Sequence, residues 1–194
     1  AETKEYPQFE PTWAILPPCT DELGSLDDFF TGMKAAGVRA LWAFPSDHRY
    51  TFNSFTCGPL FEELSARKVP LFLQAGALGQ VPGNWDNLAR VVMDFPTLRL
   101  VVCPVGVWGD DRYFRPFLER KTACRFMSTT YMVEGGLKAL VDRYGADIML
   151  FGSGYPDWQP GGGMLALLHA GLADDDLADI AGGNLQRLLE EATL

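Results

Sequence analysis

Six short apolar runs recur along the chain, each followed by an amphipathic stretch, and this alternation restricts the fold more than any other feature. The runs are TWAILP (12–17), VRALWAF (38–44), PLFLQA (70–75), LRLVVCPV (98–105), CRFMSTT (124–130) and DIMLFGS (147–153). They are nearly continuous in apolar residues, as parallel strands are when both faces are covered. The stretches between them carry helix punctuation. SLDDFFTGMKAAG opens on Ser25 as an N-cap, has Asp27 and Asp28 in its first turn and stops at Gly37. GPLFEELSARK is expected to begin with Pro59 in its first turn, and NWDNLARVVMDF stops before Pro96. Pro116 inside DDRYFRPFLERK predicts a late start or a kink. EGGLKALVDRYG and GGMLALLHAG follow the last two strands. The tail ADDDLADIAGGNLQRLLEEA reads as two short helices broken at Gly182 and Gly183, with Asn184 capping the second. Strand and helix repeated in this way mean right-handed βαβ units and a parallel α/β sheet, in one domain over 1–194.

Six such units fit either an open doubly wound sheet or part of a (β/α) barrel of TIM type, and the pattern alone leaves both open. A dinucleotide or NTP fold loses ground, because no G-x-G-x-x-G follows a strand and no phosphate-loop lysine motif occurs. The charge narrows the partners. With 25 acidic against 16 basic residues and a net charge of −9, neither nucleic acid nor an anionic membrane surface is expected. No apolar run reaches the ~18 residues of a membrane span, and the polar start AETKEYPQFEP lacks the pattern of a signal peptide. Cys19, Cys57, Cys103 and Cys124 lie far apart, two of them in strand runs. They are expected as reduced, mostly buried thiols of a cytoplasmic protein rather than a disulfide framework or a zinc site.

Five pieces carry a more specific pattern: GVRALWAFPSDHRYTF, PLFLQAG, FPTLRLVVCPVG, YGADIMLFGSGYP and IAGGNLQRLLEE. In order and wording they resemble the amidohydrolase-related family of metal-dependent TIM-barrel hydrolases and decarboxylases, over nearly all of the chain. The resemblance implies that these strands stand third to eighth in such a barrel. The family's first strand carries a His-x-His pair, and this chain has none. An open six-strand remnant would expose apolar edges, so a fragment of a longer protein is expected, with completion by another chain as the alternative. The resemblance also implies where metal ligands belong. The family's fifth strand ends His-Ala-Gly, where this chain has Gln74-Ala75-Gly76. Its sixth ends in His two residues before Gly, where this chain has Pro104. Its eighth supplies an Asp, where this chain has Gly154. A catalytic divalent ion needs three or more N or O ligands and an open position for acidified water. One amide, one pyrrolidine and one hydrogen atom do not supply them, so no metal cofactor is expected.

In a barrel the carboxyl ends of all strands face one mouth. That places Cys19, Ser46, Asp47, His48, Arg49, Gln74, Trp108, Ser128, Thr129, Tyr131, Ser153, Tyr155, Asp157 and Trp158 together. His48, one of two histidines, stands beside Asp47 as the candidate catalytic pair, because a carboxylate can orient an imidazole for acid–base work near neutral pH. Arg49 offers a planar fork to a substrate carboxylate. Gln74, Trp108, Ser153, Tyr155, Asp157 and Trp158 are the other candidate substrate contacts. His169 near a helix end reads as structural, and Cys19 as a nucleophile would need a base that the sequence does not place beside it. The expected function is binding or transforming a small polar molecule, with homo-oligomers allowed. Two alternatives stand beside it. One is a hydrolase or decarboxylase holding zinc or another divalent metal through replacement ligands such as His48, Asp47 and Asp157, together with whatever the absent first strands supply. The other is a non-catalytic scaffold whose aromatics in 50–57 and 155–158 meet a partner protein.

Overall fold

The six apolar runs pair as one parallel sheet whose spatial order is their order in the chain. The computed structural model describes residue 6 and residues 9–74, 84–105 and 111–194. The strands are β1 (Thr12–Ala14), β2 (Ala40–Ala43), β3 (Leu71–Gln74), β4 (Leu100–Cys103), β5 (Arg125–Met127) and β6 (Met149–Leu150). Leu41 lies opposite Leu71, Leu71 opposite Leu100 and Val101 opposite Arg125. A doubly wound sheet reverses its strand order at a switch point. No reversal occurs here, so the six units form part of a (β/α) barrel.

The paired segments are shorter than the apolar runs, and helix endings explain the difference. Val38 donates its N–H to Met33 O while Gly37 (φ 70°) donates to Lys34 O, closing α1 (Leu26–Ala36) in a Schellman turn. Val69 with Lys68 and Thr122 with Lys121 repeat the motif after α2 (Ser54–Ala66) and α4 (Asp111–Glu119). Val38, the first apolar residue of its run, is thus used to stop a helix before pairing begins, and Val69 and Thr122 do the same just ahead of theirs.

The α1 caps agree with the sequence: Ser25 Oγ accepts the Asp28 N–H at 3.1 Å. The start of α2 does not. Asn53 Oδ1 accepts the Thr56 N–H at 2.9 Å, so the helix opens well before Pro59, which lies in its interior. Pro116 likewise lies inside α4. Both prolines are exposed, where water can take the carbonyl that a proline leaves unbonded. After α3 (Asn84–Asp94), α5 (Gly136–Tyr144), α6 (Pro160–Leu168) and α7 (Asp174–Ala178), a π-helical turn over Asp179–Gly183 runs straight into α8 (Asn184–Glu190). Asn184 is therefore helical (φ −62°, ψ −44°) and does not cap. Its buried amide instead donates to Ala146 O and Met149 O, both at 2.8 Å.

Strands β2, β3, β4 and β6 bury both faces, whereas Thr12 and Ala14 of the edge strand β1 are exposed. Leu41, Leu71, Leu73, Leu100, Val102 and Phe126 meet the helical layer of Phe30, Phe61, Val91, Phe114 and Leu140. The opposite face, which lines the barrel, carries Ala40, Trp42, Phe72, Val101, Cys103, Met127 and Leu150 against Leu185, Leu188 and Leu189 of α8. Among the described residues no helix is long and apolar enough to cross a membrane.

Candidate functional site at the barrel mouth

Side chains two apart on a strand share a face, so Gln74 follows Phe72 onto the lining face, at the mouth end of β3. A continuous aromatic wall rises beside it. Trp42 stacks on Phe72 (centroids 5.2 Å apart) and on Phe44 (5.5 Å), and the His48 ring meets Phe44 edge-on at 5.6 Å. The turn after β2 is held by the His48 N–H on Phe44 O and the Tyr50 N–H on Pro45 O, with Arg49 left-handed at φ 56°. Ser46, Asp47, His48 and Arg49 are exposed along it. No hydrogen bond joins the Asp47 and His48 side chains, and the exposed ring packs edge-on against Phe44.

After β6 the chain turns back on itself. Ser153 Oγ accepts the Tyr155 N–H at 3.3 Å, and Gly154 O accepts the Trp158 N–H at 2.9 Å. The turn leaves Tyr155, Asp157 and Trp158 exposed at the rim. Trp108 lies outside the described residues, as do Ala75 and Gly76.

Gly154 is left-handed at φ 68°, and a Cβ on it would lie 2.6 Å from Thr129 Cγ2 and 3.0 Å from Trp158 Cβ. Gly152, two residues earlier on the same face, is closed off by Met127 Sδ at 2.3 Å and Thr129 Oγ1 at 2.4 Å from the same construction. Thr129, buried and stiff at χ1, thus fills the space opposite both glycines. Among the described residues no three His, Cys, Asp or Glu side chains come together as a metal would need.

A polar network behind the rim was not legible as a site in the sequence. The Tyr131 hydroxyl donates to Asp111 Oδ2 (3.3 Å), which Arg115 also grips through Nη2 at 2.7 Å. Burial, then the Asp111 charge, pushes the Tyr131 phenol above its ordinary range, so it stays a donor. Thr130 adds a hydrogen bond from Oγ1 to Val105 O at 2.6 Å. Asp111 and Arg115 are an i,i+4 pair on α4, whereas Tyr131 follows β5 and reaches them only through the fold.

Comparison with known proteins adds to this geometry. A family model described as Amidohydrolase matches residues 12–190. The fold is shared with an uncharacterized TIM-barrel protein from Bordetella bronchiseptica (TM-score 0.78, 21% identity, 98% of this chain and 70% of that one). It is shared also with a 2,6-dihydroxybenzoate decarboxylase from Rhizobium (TM-score 0.69, 14% identity, 97% and 73%). A dihydroxybenzoic acid decarboxylase from a Polaromonas species, with bound manganese and the inhibitor 2-nitroresorcinol, is similar too (TM-score 0.65, 14% identity, 97% and 71%). No curated protein matches the chain.

Proposed function

The chain belongs to the amidohydrolase family, and from that premise we propose that its barrel mouth binds or transforms a small polar molecule without the family's divalent metal. The observation that carries this reading is the backbone at Gly154. The family implies a carboxylate there, and this chain has a left-handed residue walled in by Thr129 and Trp158. The residues present do not fit the metal. Gln74 brings one neutral amide oxygen, a weak ligand on its own, and Pro104 brings no donor.

The mouth nevertheless has the make-up of a ligand site: an apolar wall with a few polar groups at its rim. Trp42, Phe44 and Phe72 form the wall. On this reading Gln74 and Ser153 hydrogen-bond the ligand, Arg49 takes a carboxylate, and Tyr155, Asp157 and Trp158 line the approach. His48 is the acid–base group and Asp47 its charged neighbour. The four free thiols suit a reducing cytoplasm.

A melting-temperature screen against small carboxylates and amides, run with and without EDTA, tests the proposal. At least one compound raises the melting temperature, and the rise shrinks in His48→Ala and in Gln74→Ala. A screen without any shift, or a shift that EDTA abolishes, contradicts it. The first result favours the scaffold alternative and the second a metal enzyme with replacement ligands.

A further inference from the structure

At the end of the sheet opposite the mouth lies a cavity of about 870 Å³ whose lining reverses the charge of the chain. Lys68, Arg99, Lys121, Arg125, Arg143 and Arg187 all line it, six of the 16 basic residues, against the carboxylates of Asp147 and Glu191. Arg99 precedes β4 and Arg125 opens β5, so the cavity sits where strands begin, not where they end.

Two observations separate this cavity from an ordinary charged surface. The first is conformational. Lys68 (φ 53°) and Lys121 (φ 50°) occupy the left-handed position of Schellman turns, the place that Gly37 fills after α1. Glycine is the residue without strain there. The chain carries lysine at both sites, and both line the same cavity. Unrelieved strain of this kind points from the outlier to a use. The second is an unpaired donor. Arg99 bonds Glu191 through Nη2, while its Nη1 is buried without a partner. Arg125, Arg143 and Arg187 are held by Asp147, Glu119 and Asp179, whereas no salt bridge among the described residues involves Lys68 or Lys121. The Glu191 carboxyl responds to this field: its hydrogen bond to Arg99, helped by Lys68 and Arg125, holds it below the usual carboxylate range.

We propose that this cavity binds a phosphoryl dianion, with the Lys68 and Lys121 ammonium groups as its donors and the buried Arg99 guanidinium as a fixed positive charge in its wall. Two ammonium groups from separate segments can each meet an oxygen of one phosphoryl group, and the volume leaves room for an organic body beyond it. Two sources share this chemistry, inorganic phosphate species and phosphate monoesters, and the test separates them.

The probes are inorganic pyrophosphate and glycerol phosphate, titrated calorimetrically at low salt into the wild-type chain and into Lys68→Gly/Lys121→Gly. The double variant removes both ammonium groups and both left-handed lysines, so it melts no lower than wild type and remains a fair comparison. Saturable binding of at least one probe is expected, weakened about tenfold or more in the double variant and unchanged in His48→Ala. Preference for glycerol phosphate identifies a monoester site, and preference for pyrophosphate an inorganic one. The absence of binding by either probe, or equal affinity in the double variant, overturns the proposal.

Discussion

A carboxylate at residue 154 would meet two separate obstacles, and they can be told apart. The left-handed backbone disfavours any side chain, by about 1–2 kcal/mol. Contact with Thr129 adds overpacking of about 1–3 kcal/mol. Gly154→Asp is therefore predicted to lose about 3 kcal/mol in urea unfolding without gaining affinity for manganese. Thr129→Ala in the same background recovers part of that loss, because it removes the methyl but not the backbone strain. A Gly154→Asp chain as stable as wild type would show that the wall around this position yields. This lesson is local. The departures from the family pattern at 74, 104 and 154 were legible in the sequence, since a side chain's donors follow from its identity. That a restored aspartate would collide was not, because Thr129 reaches Gly154 only through the pairing of β5 with β6.

At the scale of elements, the reading succeeded where local chemistry decides the outcome. Ser25 and Gly37 bound α1 as expected, since both signals act within one turn. It failed where two local signals compete. Pro59 resembles a first-turn proline, yet Asn53 caps earlier and the helix runs through the proline. Pro59→Ala restores a donor to the Phe55 carbonyl at an exposed site and is predicted to stabilise the protein by about 1 kcal/mol, read as a higher urea midpoint with unchanged slope. A neutral or destabilising result would mean that the Pro59 ring itself is needed by α2. The tail was misread for a different reason. Asn184 after two glycines reads as a cap, but its amide is drawn to β6, a partner far away in sequence. There the Ile180 carbonyl also accepts the Phe151 N–H at 2.9 Å, so the outer edge of β6 is partly satisfied by the chain's own tail. Such nonlocal edge protection leaves no local mark.

The whole molecule couples its core to solution pH through its thiols. Cys57, Cys103 and Cys124 are buried, and Cys19 is exposed. Burial pushes Cys57 up to about 12 and raises Cys103 and Cys124 as well. In the unfolded chain thiols ionise near 8.5. Below that value both states keep their protons and the contribution is fully present. Above it the unfolded chain releases protons that the folded chain holds, so stability falls as pH rises toward the folded values. The slope is up to about 1.4 kcal/mol per pH unit for each buried thiol. Urea midpoints are predicted to be steady near neutrality and to drop above about pH 9, less steeply in Cys57→Ala; a flat alkaline profile would contradict this. The same molecule-wide view separates two ends of one barrel, an aromatic-walled mouth and a cationic cavity where strands begin. The most direct test of the central claim is the metal content of the purified chain after incubation with zinc and manganese and removal of unbound ion. The account predicts that neither metal is retained in stoichiometric amount, in wild type or in Gly154→Asp. Near-stoichiometric zinc or manganese on the wild-type chain would contradict it.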